Sequence, residues 1–219
     1  MKIAVLSSGG LDSSILLADF SHRYEEVYPL YIQAGLHWED DEIKILNKYI
    51  VKLNISSIKP IFLLQAPTQN ILVNHWSVKG DNIPNADSSD ESVFIPGRNI
   101  LLLGLASIWC SVNGIENIAI GTLLGNPFQD ASENFFENFS NVLSQGLGSK
   151  IRILAPYISF SKSDLIKNHS SLPLELTLTC IAGKGMLHCG NCNKCFERKK
   201  AFSDADVFDP TEYIYRGVL

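Results

Sequence analysis

The sequence predicts an α/β domain, a parallel sheet covered by helices on both faces, followed by a C-terminal metal knuckle. Three observations carry that expectation. Short, wholly apolar runs of strand length alternate with helical stretches along the chain, the pattern of a parallel sheet buried on both sides. A glycine turn follows the first of these runs at once, at residues 7–12. Four of the five cysteines fall between positions 180 and 195. With 219 residues, the chain suffices for one such domain with a full core and not for two large ones.

Residues 3–6 read as a fully buried strand, and residues 13–20 as the helix after the turn. A second strand is expected at 27–32 and a helix at 40–53, where Ile43, Leu46, Ile50 and Leu53 recur on one face. A third strand follows at 61–64. Residues 65–97 contain Pro67, Pro84 and Pro96 and read as a long irregular segment, and a loop of that length inside a compact domain is a functional candidate. Then come a buried apolar helix at 99–112, a strand at 118–121, a helix at 135–143 and a fifth strand at 151–154. Ser161, with Asp164 three residues on, forms a capping box that opens another helix. The rest of the chain holds the cysteine cluster, a helix at 196–203 and a polar tail.

Composition narrows the function classes. Hydrophobic residues make up 46% and charged residues 19%, the balance of a globular chain. The net charge of −5 argues against a broad nucleic-acid-binding face. The longest apolar stretch, 100–110, is about half of what a membrane crossing needs. The apolar run at 3–6 is too short for a secretory leader, so a cytoplasmic protein is expected. In that reducing compartment, clustered thiols favour a metal over disulfides.

The glycine turn reads Ser8-Gly9-Gly10-Leu11-Asp12-Ser13-Ser14. Its glycines let the backbone approach a ligand, its serines offer hydroxyls, and the following helix points its first N–H groups into the turn. The spacing fits neither a Walker A loop nor a dinucleotide fingerprint. Asp12 would repel a phosphate unless a divalent metal lies between them. The cysteines form the pattern C-x8-C-x2-C-x2-C: Cys180, Cys189, Cys192 and Cys195, with Gly190 for the tight turn. Four thiolates close a tetrahedral shell, which reads as structural zinc, with an iron–sulfur cluster as the alternative occupant. His188 is a spare ligand beside Cys189, and Cys110 reads as a core residue.

The turn resembles the SGGxDS signature of the pyrophosphate-loop (PP-loop) ATP pyrophosphatases, which adenylate a substrate oxygen and release pyrophosphate. Further segments narrow the resemblance to one family, the 7-cyano-7-deazaguanine synthases of the queuosine and archaeosine pathways. They are Phe94-Ile95-Pro96-Gly97-Arg98-Asn99, the helix opening with Lys162, the lead Glu175-Leu176-Thr177-Leu178-Thr179-Cys180, and the knuckle with its charged helix. The match runs in order from residue 3 to about residue 210.

That resemblance implies a three-layer, Rossmann-like fold of the adenine nucleotide α-hydrolase type. Residues 1–170 would form the PP-loop domain and residues 171–219 a zinc-binding region packed on it. It places ATP on Ser8 to Ser14, Mg²⁺ on Asp12, and catalytic roles on Asp12, Arg98 and Lys162, and it makes the four cysteines zinc ligands. The implied reaction converts 7-carboxy-7-deazaguanine and ammonia to the nitrile through an acyl-adenylate and an amide. A homodimer is implied too, with the apolar helix around Leu101 to Trp109 as a contributor. Asp130 is a candidate for reading a purine-like ring, or else it caps the helix before Phe135.

The chain departs from the family at Ala34-Gly35-Leu36-His37-Trp38, where Tyr-Gly-Gln-Arg-His is usual. It departs again at residues 125–132, where the family's pocket cysteine and arginine are missing. The segment His75-Trp76-Ser77 has no counterpart. These departures leave two alternatives beside the synthase: a related ATP pyrophosphatase acting on another carboxylate or a tRNA base, and a nucleotide-binding paralogue without turnover.

Overall fold

The computed structural model describes residues 1–66 and 68–215; Pro67 and the last four positions lie outside the described residues. The strands are β1 (Lys2–Leu6), β2 (Glu26–Gln33), β3 (Phe62–Gln65), β4 (Asn117–Ala119) and β5 (Arg152–Leu154). The helices are α1 (Leu11–Ser21), α2 (Glu39–Leu53), α3 (Trp76–Lys79), α4 (Arg98–Val112), α5 (Glu133–Leu147), α6 (Lys162–Asn168) and α7 (Asn193–Asp204).

All five strands pair in parallel in the order β3-β2-β1-β4-β5. The period of two along β1 explains the three layers. Ile3 and Val5 point into one core with α1, α2, α6 and α7, while Ala4 and Leu6 point into the other with α4 and α5. Leu46 is buried in the first core, and Ile43, Ile50 and Leu53 pack against it, so the stripe along α2 does what its spacing predicts. A third apolar cluster joins residues 34–38 to Val93, Ile95 and the four cysteines. The expected parallel α/β architecture is therefore present.

The strand order reverses between β1 and β4. The two chains leaving their carboxyl ends diverge there, and the crevice that opens is the usual ligand site of such sheets. The glycine turn stands on one side of it and residues 120–122 on the other. Gly121 backs onto the Asp12 and Ser13 backbone, 3.2–3.3 Å from where its Cβ would be.

Some elements differ from their expected form. Helix α1 begins at Leu11, inside the expected turn, because Gly10 serves as its N-cap and the Ser14 N–H already donates to Gly10 O (3.0 Å). Helix α4 is not buried as expected: only Leu103, Ala106, Ser107 and Cys110 are, while Ile100, Ile108 and Val112 are exposed. It covers one face of the sheet, and no described element covers its outer side. The 65–97 segment is not structureless. It contains α3 and a 3-10 turn at Asp90–Val93, and it docks on the knuckle through Ala86 N–H to Asn191 O (3.1 Å) and Asn193 N–H to Pro84 O (3.0 Å). The capping box is as expected, with Asp164 N–H donating to Ser161 Oγ (3.1 Å) and Ser161 N–H to Asp164 Oδ2 (3.2 Å). Among the described residues no helix is long and apolar enough to cross a membrane.

Candidate active site and metal centre

The crevice at the switch point is a cleft of about 620 Å³. Its loop end is built by the glycine turn. Gly9 has a φ of +74°, and a Cβ there would stand 2.8 Å from Glu42 O on α2, so only glycine lets the turn tuck in this far. The serines fasten the turn internally. Ser8 N–H and Gly10 N–H donate to Ser13 Oγ (3.2 Å) and Ser8 Oγ (3.3 Å), and Ser13 Oγ–H donates to Gly10 O (3.2 Å). Gly10 offers no side-chain cap, so the amides of Leu11, Asp12 and Ser13 precede the first intrahelical bond. All three residues line the cleft. Gly9 and Ser14 do not: Gly9 packs on α2, and Ser14 is wholly buried.

Asp12 Oδ1 is shielded from solvent and has no hydrogen-bond partner. Burial pushes the Asp12 carboxyl up, against the pull of Lys162, whose Nζ lies 3.4 Å from Oδ2. A buried, unpartnered carboxylate oxygen at a phosphate-type loop fits a divalent cation such as Mg²⁺. A lysine in the first turn of a helix is unfavourable by itself, and the structure supplies its compensation. Lys162 lies between Asp12 and Glu197, with Nζ 2.5 Å from Glu197 Oε1, and Glu197 Oε2 meets Lys194 Nζ at 2.6 Å. Burial would lower the lysine, but Asp12 and Glu197 raise it on balance. Burial would likewise raise Glu197, but Lys162 and then Lys194 hold it down to about 2.

The opposite wall holds residues that sequence reasoning missed. Glu39 and Glu42 are both buried. Glu39 clamps the segment after β2, accepting from Ala34 N–H (2.5 Å) and Gly35 N–H (3.0 Å). Glu42 accepts from the Tyr31 hydroxyl (2.6 Å), and burial pushes its carboxyl up to about 7. Their i, i+3 spacing on α2 puts both on one face, the single signal that could have marked them. Trp38 and Trp76 stack at 5.6 Å with a 15° interplanar angle and also line the cleft, which gives His75-Trp76-Ser77 a place.

Arg98 opens α4 and is exposed on the cleft wall. Asp130 also lines the cleft, but its Oδ2 accepts from Asn99 N–H (3.1 Å), so it caps the start of α4. It does not cap the helix before Phe135. Ser132 does, with its Oγ accepting from Phe135 N–H (3.2 Å). The structure thus brings Ser8, Gly10, Leu11, Asp12, Ser13, Arg98, Asp130 and Lys162 onto one cleft.

The four cysteines form a second centre. Cys180, Cys189, Cys192 and Cys195 are buried, with their four sulfurs within 4.8 Å of one another. The Cys189–Cys195 separation of 3.8 Å equals the edge of a tetrahedron with zinc–sulfur bonds of about 2.3 Å. Backbone N–H groups of Ala182 and Cys189 point at Cys180 Sγ (3.4 and 3.3 Å), and those of Asn191 and Cys192 at Cys189 Sγ (3.3 Å each), as thiolates require. Gly190 has a φ of +83°, and a Cβ there would lie 1.9 Å from Tyr215 O. These residues fit a four-thiolate metal such as zinc. His188 is not in the shell: its Nε2 accepts from Thr179 N–H (3.1 Å). Cys110 is a free core thiol, as expected, and burial pushes it up to about 12.

Known proteins place this architecture. The model of the family described as "Queuosine biosynthesis protein QueC" matches residues 2–206. The chain belongs to the QueC family. It is 30% identical over 227 residues to the 7-cyano-7-deazaguanine synthase of Methanobrevibacter smithii, covering 97% of both chains. It is 32% identical over 205 residues to 7-cyano-7-deazaguanine synthase 1 of Desulfitobacterium hafniense, covering 91% of this chain and 90% of the relative. The expected family and its enzymatic character are thereby met. A solved structure, a predicted subunit of tRNA methyltransferase from Methanocaldococcus jannaschii, superposes with a TM-score of 0.50 at 15% identity. That match covers 78% of this chain and 74% of the other, and it is a likeness of fold.

Proposed function

We propose that this QueC-family chain is a 7-cyano-7-deazaguanine synthase that uses ATP twice to turn 7-carboxy-7-deazaguanine and ammonia into the nitrile. The observation that carries the reading is the glycine turn at the β1/β4 switch point, with Asp12 and Lys162 at its mouth, in a chain matched to the family over residues 2–206. The loop amides and the start of α1 take the phosphates of ATP. Asp12 holds Mg²⁺, which supplies charge neutralisation on the phosphates.

The substrate carboxylate attacks the α-phosphorus, pyrophosphate leaves, and ammonia displaces AMP to give the amide. The amide oxygen then attacks a second ATP, and loss of AMP and a proton leaves the nitrile. Lys162 and Arg98 stabilise the charge that builds on the phosphates in transfer. Asp130, on the same wall, reads the deazapurine ring. The four cysteines hold zinc in a closed shell, which leaves no open position and gives it a structural role. Residues 1–170 supply the ATP site and residues 171–219 the zinc region.

The enzyme works in the cytoplasm as a homodimer, joined through the uncovered side of α4. There Ile100 (50% exposed), Ile108 (51%) and Val112 (82%) leave an apolar face open.

The test is to incubate the protein with ATP, Mg²⁺, ammonia and 7-carboxy-7-deazaguanine. Two AMP and two pyrophosphate per nitrile are expected, and Asp12→Asn is expected to abolish turnover with its zinc retained. ATP binding without AMP formation would overturn the substrate, and full activity in Asp12→Asn would overturn the role of Asp12.

A further inference from the structure

The helix that carries the last knuckle cysteine also delivers two charged side chains to the ATP end of the cleft. Lys194 directly precedes Cys195 on α7, and Glu197 follows it by two positions; both line the cleft. The Lys194–Glu197 contact alone is an ordinary i, i+3 pair along one helix. The contact with Lys162 is of another kind. It joins two helices 35 residues apart in sequence, and the Lys162 side chain is only 12% exposed.

One carboxylate thus fixes two ammonium groups, each on its own oxygen, and one of those ammonium groups also rests 3.4 Å from Asp12 Oδ2. A lysine is a point charge on a flexible four-carbon stem. Held from two sides, Lys162 can place its charge at one spot; held by Asp12 alone, it would compete with any cation Asp12 binds. The four side chains sum to zero charge, so the gain lies in geometry and not in a stronger field.

We infer that Glu197 is a positioning residue for ATP chemistry: it holds Lys162 at the mouth of the glycine turn and brings Lys194 to the same place as a second phosphate-facing cation. The inference rests on the ATP reading of the cleft. It makes the metal-bound helix a working part of the nucleotide site, through side chains two positions or fewer from a cysteine ligand.

Glu197→Gln separates positioning from attraction. The variant keeps both lysines and removes one negative charge, so ground-state attraction for ATP is not reduced while orientation is lost. The expected result is a fall in kcat of about tenfold or more, with the KM for ATP changed by less than about threefold or lowered. Glu197→Asp, which keeps the charge and withdraws it by one methylene, is expected to fall between the variant and wild type. In a crystal structure of Glu197→Gln, Lys162 Nζ is expected to move off the side chain at position 197 and pair with Asp12 alone, closing on Oδ2 from its 3.4 Å.

A kcat within about twofold of wild type, a loss confined to KM, or Lys162 Nζ unmoved from its wild-type place between residues 12 and 197 would overturn the inference. If Glu197→Gln does not fold, Glu197→Asp decides the matter: a fall in kcat of about threefold or more with the KM for ATP unchanged is expected, and a kcat within about twofold of wild type would overturn the inference. If wild type makes no AMP from the deazaguanine acid, the substrate assignment fails, and the position of Lys162 in the variant crystal still decides this inference.

Discussion

Glu42 accepts the Tyr31 hydroxyl from inside the cleft wall, and burial pushes its carboxyl up to about 7. An unfolded glutamate sits near 4.5. Between those values the folded chain holds a proton that the unfolded chain has released, so stability falls as pH rises through that window and the loss is complete above it. A shift of that size corresponds to roughly 3 kcal/mol. Glu42→Gln is expected to remove this component. Urea unfolding at pH 5 and pH 8 should show the variant gaining on wild type as pH rises; a pH-independent difference would mean that Glu42 does not titrate there.

Single residues also mark the limit of what the sequence discloses. Asp12 is legible because it sits inside a local motif. Glu42 is not, because its position beside the glycine turn comes from the packing of α2 against Gly9. Glu197 meets Lys162 only after α6 and α7 have docked, and nothing in the spacing of either helix announces that pair. Asp130 shows the converse: a candidate on sequence grounds, it spends one oxygen on the first turn of α4.

At the scale of elements, the strands and their order of appearance were readable because each is a short apolar run, while the helix starts differ because the N-cap residues, Gly10 for α1 and Cys192 for α7, carry no side-chain cap that would mark them. Helix α7 starts three residues before its expected position because Cys192 is its N-cap, which sets Cys195 in the first turn. The long 65–97 segment could not be placed from its own sequence, since its order depends on backbone bonds to Asn191 and Asn193. Metal removal should therefore be felt beyond the cysteines. One zinc per chain is expected by elemental analysis, and chelation is expected to speed amide exchange at residues 85–93 as well as at 193–198. Iron in place of zinc, or exchange changes confined to the cysteines, would contradict this account of the knuckle.

Across the whole molecule, the two ends of the cleft differ in character: one carries the glycine turn with Asp12, Lys162, Lys194 and Glu197 from α1, α6 and α7, and the other is a wall of buried acids and stacked tryptophans from α2 and α3 and the residue before α2. The uncovered side of α4 lies on the opposite layer from α1, α6 and α7. A homodimer formed there is expected to become a monomer in Ile108→Glu, as read by light scattering, with zinc content unchanged; an unaltered mass would place the interface elsewhere.

Adenylation of the substrate carboxylate at the glycine turn is read out by 7-carboxy-7-deazaguanine carrying ¹⁸O at both carboxylate oxygens. Both oxygens leave with AMP, one from the acyl-adenylate and one from the adenylated amide, so every AMP formed should carry one ¹⁸O. Unlabelled AMP, or label in inorganic phosphate, would contradict it.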